Sequence, residues 1–384
     1  MKWNKEKTSI LLCCLLIAFA LIAPSFIRRE TARDRYGEWL QPTQPVWQGQ
    51  LTLWTVVGFP VGEGTLGGWV RAQVRAFEKS AFGVYVDVRV MTPEEAKAAL
   101  DGGEKPDVLV FPSGFLDAPE GLLTPLSDPI GINGALLASA ERGGTLYALP
   151  VMAGAYLLCV NEERGMAAGT EPPDGIGYPP KTVAEMAAGD DGGLCVDGGP
   201  YVSPGLAFAY ALDGGDTEII RALKGAGDAG AFKDGDALLC LGSQNTAGAV
   251  QDAYENGNGF GSTAWAVSGF TDMVQYVGVT DGLPEAREQM CFQLAGSFVS
   301  QSAQESLKDI GMFAAAEGLE PLYEDDPRFY ASEQQLSREM AVPPAFGYSA
   351  LRGGWEERLN KAVQGDAAAL RSLVAAMRAA CKQG

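Results

Sequence analysis

Residues 144 to 161, Gly-Thr-Leu-Tyr-Ala-Leu-Pro-Val-Met-Ala-Gly-Ala-Tyr-Leu-Leu-Cys-Val-Asn, form an uncharged run interrupted by Pro150 and Gly154. Both interruptions argue against one helix, since proline lacks a backbone donor and glycine gives the chain freedom to turn. Thr145–Leu149 reads as a short strand that Pro150 stops, and Tyr156–Val160 as a second apolar strand ending at Asn161. Met152, Ala153, Gly154 and Ala155 lie between them, small or pliable enough for backbone or ligand to come close. The run therefore predicts two buried strands joined by a crossing. Taken alone, an ordinary pair of core strands explains it.

At 384 residues the chain is long enough for two domains. Hydrophobic residues make up 47%, which excludes a disordered class. Histidine is absent, which removes every Ser-His-Asp and Cys-His arrangement. The net charge is −19; residues 1–35 hold seven Lys/Arg and three Asp/Glu, leaving 22 basic against 45 acidic residues, a balance of −23. A body so acidic is expected to repel nucleic acid and anionic lipid. The seven cysteines are scattered without a CxxC pair, so no metal site is expected. Five of them fall outside the N-terminal run, an odd number that speaks against a complete disulfide framework.

Lys2, Lys5 and Lys7 precede an uncharged run from Thr8 to Ile27, followed by Arg28 and Arg29. The run is long enough to span a bilayer and lacks a clear processing site, so residues 1–29 read as an uncleaved anchor, with removal as a signal peptide the other outcome. Residues 30–47 read as a polar tether. Strands are expected at Leu51–Val57, Val84–Met91 and Pro106–Phe111, with helices at about Gly68–Ser80 and from the capping box Thr92-Pro93-Glu94-Glu95 to Leu100. Strand, helix, strand, helix, strand describes an open parallel α/β unit. Further on, Pro204–Leu212, Thr217–Lys224 and Thr246–Asn256 read as helices, Ser262–Val267 and Phe270–Val279 as strands. Pro284–Ser300, Ser332–Met340 and Asp366–Cys381 close the chain as helices.

Leu146-Tyr147-Ala148-Leu149-Pro150, the small-residue patch, then Tyr156-Leu157 and Asn161 resemble the passage between lobes in family 1 extracellular solute-binding proteins, the maltose-binding-like receptors of ABC importers. Leu51–Trp54, Phe77-Glu78-Lys79, Pro106-Asp107-Val108-Leu109, Leu123-Thr124-Pro125-Leu126 and Ile310-Gly311-Met312-Phe313 fall in the family's order. The resemblance covers about residues 48 to 384. It implies a two-lobed α/β fold with a central cleft: lobe 1 from 48–150 plus 262–312, lobe 2 from 151–261 plus 313–384. It also implies an extracellular body, a sugar or oligosaccharide as ligand, an ABC permease as partner, no cofactor and no catalysis.

Gly62-Glu63-Gly64-Thr65-Leu66-Gly67 satisfies a dinucleotide fingerprint but starts too far beyond its strand, and Glu63 would face a pyrophosphate. Paired carboxylates at Glu94-Glu95, Glu162-Glu163, Asp190-Asp191 and Asp325-Asp326 leave open an exported glycan hydrolase. A sensor domain that keeps the fold without feeding a transporter is the other alternative. Ligands of open α/β sheets sit beyond the carboxyl ends of the strands. On that basis the expected ligand-binding residues are Trp54, Glu63, Ser113, Phe115, Tyr156, Trp265 and Tyr276, with Asp117 nearby. The expected hinge is Ala153, Gly154 and Ala155.

Overall fold

The computed structural model describes residues 47–127, 129, 131–165, 172, 174–189, 193–212 and 216–383. The chain divides into two units, residues 1–41 with 129–131 and residues 42–128 with 132–384, and the second carries every element named below. The expected anchor, and the tether up to residue 46, lie outside the described residues. No helix of the described residues is long and apolar enough to cross a membrane.

Alternating strands and helices build the first sheet. Strand β1 (Gly49–Val56) leads through helix α1 (Leu66–Ser80) to β2 (Val84–Met91), and helix α2 (Pro93–Asp101) leads on to β3 (Val108–Pro112). β1 is flanked by parallel β2 and β3, and its Leu51, Leu53, Trp54, Thr55 and Val56 are all buried. Burial on both faces is what a central parallel strand requires. The capping box at α2 forms as expected, Glu95 N–H donating to Thr92 Oγ1 at 3.2 Å and Thr92 N–H to Glu95 Oε2 at 2.8 Å. Asp107, buried before β3, accepts from Thr52 N–H at 2.7 Å and from Arg287 at 2.8 Å, which ties the amino ends of the strands together.

The central run crosses between sheets. Strand β4 (Leu149–Ala153) belongs to the first sheet and β5 (Tyr156–Asn161) to the second. The second sheet is completed by β6 (Leu194–Val196), β7 (Gly227–Asp228), β8 (Leu239–Ser243) and β9 (Ser262–Ala266), in the order β9-β5-β8-β6-β7. Helix α3 (Pro204–Tyr210) follows β6, and α4 (Gln244–Glu255) follows β8. The chain then returns as β10 (Val274–Val279) and, after helix α5 (Glu285–Ser297), as β11 (Phe313–Ala314). The first sheet is thereby ordered β11-β4-β10-β3-β1-β2. Helices α6 (Pro327–Glu339), α7 (Tyr348–Val363) and α8 (Ala367–Ala380) close the chain.

Four expectations are corrected. Pro150 does not end a strand: it sits inside β4, opposite Tyr276, where the β4–β10 register shifts at Gln275/Tyr276. A bulge is where a strand tolerates a residue without an N–H. The change of sheet falls at Gly154-Ala155, so residues 151–153 stay with the first sheet. Residues 262–266, expected with the first lobe, pair with β5 in the second sheet, while Phe313-Ala314, expected with the second, pair with β4 in the first. Helix α7 lies where no helix was expected.

Candidate functional site

The carboxyl ends of β1 and β3 meet elements that follow β6 and β8. Gly58, just past β1, packs against Pro112 at the end of β3 and against Tyr201 from the loop after β6. A methyl added at Gly58 would lie 2.6 Å from Pro112 Cγ and 3.1 Å from Tyr201 Cγ, so only glycine admits the ring here. Arg352, one turn into α7, places its guanidinium 5.5 Å from the Tyr201 ring centroid. Glu94, in the first turn of α2, faces the same neighbourhood. Burial and the Glu94 charge raise the Tyr201 phenol above its ordinary pKa, against the pull of Arg352. Asn245, at the start of α4, donates through Nδ2 to Val61 O at 3.2 Å, so the loop after β1 touches the second sheet's helix directly.

A flat, half-buried ring flanked by a guanidinium and a carboxylate offers a polyhydroxylated ligand both a stacking face and hydrogen-bonding groups. No group of three or more His, Cys, Asp or Glu side chains suited to a metal ion occurs among the described residues.

The expected ligand contacts differ in exposure. Trp54, Ser113, Phe115, Tyr156 and Tyr276 are buried, and a buried side chain presents no surface to a solute in this conformation. Trp54 is packed within the central strand. Phe115 and Tyr276 flank Phe111, with ring centroids 6.4 and 5.8 Å away, and the Tyr276 hydroxyl is hydrogen-bonded to Ser139 at 2.7 Å. Burial pushes the Tyr276 phenol up to about 12. Ser113 N–H donates to Val274 O at 3.0 Å, which binds β3's end to the return strand. Glu63 is partly exposed and pairs with Arg328 at 3.4 Å. Asp117 is exposed. Trp265 is half-buried and meets Tyr178 edge-on at 6.0 Å. Its strand, β9, lies at the opposite end of the second sheet from the loop carrying Tyr201, with β5 and β8 between them and β6. Tyr178 lines a cavity of about 610 Å³ with Tyr210, Ser268, Gln335, Glu339 and Arg378, behind the crossing segments.

The expected hinge residues occupy the change of sheet. Gly154 N–H donates to Met273 O at 2.6 Å, and Thr271 Oγ1 donates to Gly154 O at 2.8 Å, so the outgoing and returning segments hold each other. Ala155 N–H donates to Gln244 Oε1 at 3.1 Å. A methyl on Gly154 would lie 2.6 Å from Gln244 Nε2 and 2.9 Å from Met273 Cβ; close approach requires glycine here. Beside it, the Tyr156 hydroxyl donates to Asp272 Oδ1, and the Tyr348 hydroxyl to Asp272 Oδ2 at 2.6 Å. Ser203 N–H donates to the Tyr156 oxygen at 2.6 Å. Burial raises the Asp272 carboxyl above its ordinary value, opposed by the two phenols and by Arg352.

Tyr201, Arg352, Asp272 and Tyr348 escaped the reading of the sequence. Tyr201 sits in a turn-rich stretch without periodicity, and Arg352 and Tyr348 lie on a helix whose centre carries Gly353-Gly354. A carboxylate inside an apolar run, Asp272 between Phe270 and Met273, was the one available signal.

No family model matches the chain, and no curated protein matches it in sequence. Solved structures do match in fold. A cyclic α-maltosyl-1,6-maltose binding protein from Arthrobacter globiformis aligns over 87% of this chain and 100% of its own, with a TM-score of 0.62 at 13% identity. An ABC substrate-binding protein from Listeria monocytogenes, in complex with cycloalternan, aligns over 87% and 99%, with a TM-score of 0.61 at 15% identity. The Thermus thermophilus maltotriose binding protein aligns over 86% and 99%, with a TM-score of 0.55 at 20% identity. The chain has the mixed α/β fold of the carbohydrate-type solute-binding proteins.

Proposed function

We propose that the protein is a carbohydrate-binding receptor that closes on an oligosaccharide and delivers it to an ABC-type importer, without catalysing a reaction. The observation that carries this reading is Tyr201, with the Arg352 guanidinium 5.5 Å from its ring centre and the Glu94 charge acting on its phenol, at the shared carboxyl ends of strands from two sheets. Oligosaccharides are the named ligands of the structures that share the fold, maltodextrin-type and cyclic glucans among them. The first sheet with its helices forms lobe 1, the second sheet with α6 to α8 forms lobe 2, and Ala153, Gly154 and Ala155 are the hinge. Glu63 lies on the same side as Tyr201 and joins the rim. Residues 1–29 anchor the body to the outer face of the cell membrane, because Thr8–Ile27 is uncharged over a bilayer's span.

A melting-temperature screen with linear maltodextrins, cyclic α-glucans and chitooligosaccharides tests the binding claim. Ligand at a hundredfold excess over Kd stabilises the native state by about 2.7 kcal/mol, so a true ligand shifts the transition measurably. If no sugar moves it, the receptor reading fails. Intact mass of the membrane-extracted protein tests the anchor: Met1 or Lys2 at the N-terminus supports it, and a start near Leu21 or Pro24 overturns it.

A further inference from the structure

Helix α1 and the turn after it carry a surface unlike the rest of this acidic chain. Arg71, Arg75 and Lys79 recur every fourth residue and are all exposed, so they form one basic stripe along the helix. Among the described residues none of the three has an acidic side chain in salt-bridge reach. The helix holds one acid, Glu78, which is turned to accept from Val86 N–H at 2.8 Å. The stripe ends at Phe82, 83% exposed in the turn after the helix; Tyr85, 67% exposed, stands on the face of β2 opposite the one on which α1 packs. Asp87, next on the same face of β2, lies 3.9 Å from Arg89, which also reaches Glu104 at 3.4 Å. The acids near the stripe are therefore already engaged.

This surface lies where the N-terminal segment joins the body. Gln48 donates to Phe82 O at 3.5 Å, and Gly49 N–H to Gly83 O at 3.0 Å. The chain preceding Trp47 contains the uncharged Thr8–Ile27 run. Nineteen residues, 28–46, separate that run from Trp47 and can reach at most about 65 Å. A membrane surface within that reach has a high effective concentration, so even weak contacts engage. Phe82 and Tyr85 sit at the amino ends of β1 and β2, opposite the carboxyl ends where Tyr201 and Gly58 meet.

We infer that Arg71, Arg75, Lys79 and Phe82 rest on the anionic phospholipid surface of the membrane that holds the N-terminal segment. Basic residues there are drawn to anionic headgroups, and exposed aromatic rings settle at the boundary between headgroup and acyl chain. The acidic remainder of the body is repelled by the same surface, which selects one orientation. The inference rests on the anchoring reading above.

The test uses the full chain in lipid nanodiscs of phosphatidylcholine alone or with a third phosphatidylglycerol, read by hydrogen exchange over residues 71–89. Slower exchange with phosphatidylglycerol, lost at high salt, is the expected result. Arg71→Gln, Arg75→Gln and Lys79→Gln should each lower the bound fraction's equilibrium constant about fivefold, the equivalent of about 1 kcal/mol per basic residue. Phe82→Ser should abolish the protection at unchanged melting temperature, and Tyr85→Ser, on the other face of β2, should leave it. Equal exchange in both lipids overturns the inference, and so does protection that grows with protein density in phosphatidylcholine alone, which would mark a protein partner. If intact mass shows the N-terminal segment removed, the anchoring reading fails by itself. The released chain then decides: sedimentation with phosphatidylglycerol vesicles at low salt, weakened by the same variants, sustains the lipid surface, and no sedimentation overturns it.

Discussion

The two sheets fill their cores with different side chains. In the first, Phe111 lies at the centre of Phe115, Tyr276 and Phe346, with ring centroids 5.8 to 6.4 Å away. In the second, Cys159, Cys240 and Cys195 stand side by side on β5, β8 and β6, among leucines and alanines. The aromatic residues of the second half come from other places: Tyr156 opens β5, Phe208 lies on α3, and Tyr178 and Tyr201 lie in loops. The lesson concerns where to look for a sugar platform. Rings at strand ends of the first sheet are already spent on its core, and a ring with a free face comes from a loop of the second.

The contrast between cores should give the largest effect. Phe111→Ala is expected to cost about 3–5 kcal/mol of folding stability, and Cys240→Ala only about 1 kcal/mol, in denaturant titrations. Equal costs would dissolve the distinction between the sheets. Next in size is the crossing that joins them. Asp272→Ala leaves the Tyr156 and Tyr348 hydroxyls without their acceptor and should cost about 2–4 kcal/mol, while Asp272→Asn costs less.

The same carboxyl has a pH signature. Burial raises its folded pKa above the ordinary carboxylate value, so the native state holds the proton longer than the unfolded chain. Its contribution is fully present below the unfolded pKa and is lost as pH rises through the folded one. Wild type should therefore lose stability relative to Asp272→Asn as pH rises from about 4, and a flat difference would contradict the assignment. The smallest effect is chemical. The thiols of Cys159, Cys195, Cys240, Cys291 and Cys381 are buried and unpaired, and burial raises their pKa values, Cys159 and Cys291 to about 12. A thiol reagent should label none of the five until denaturant is added.

Much of the first sheet was legible because its signals are local. Thr92 and Glu95 cap a helix by their own side chains, and β1 and β3 are apolar on both faces. The passage between sheets was legible from small residues flanked by apolar strands, down to Gly154. Three things were not. Pro150 reads as a stop until its pairing with β10 is known, where the register shift leaves Val151 as an extra residue of Pro150's own strand. Helix α7 carries Gly353-Gly354 in its interior, each costing about 1 kcal/mol of local propensity that tertiary packing overrides. Tyr201 and Arg352 are 151 residues apart and become neighbours only in the folded chain, so no local pattern links them.

The central claim is that a sugar binds where Tyr201, Arg352 and Glu94 meet. Isothermal titration of the best oligosaccharide from the melting screen, into wild type and Tyr201→Ala at matched stability, tests it most directly. The expected result is a single site that Tyr201→Ala weakens by about 1–3 kcal/mol, with Phe115→Leu leaving affinity unchanged. Unaltered affinity in Tyr201→Ala, or binding that moves only when Trp265 beside the rear cavity is replaced, would contradict it.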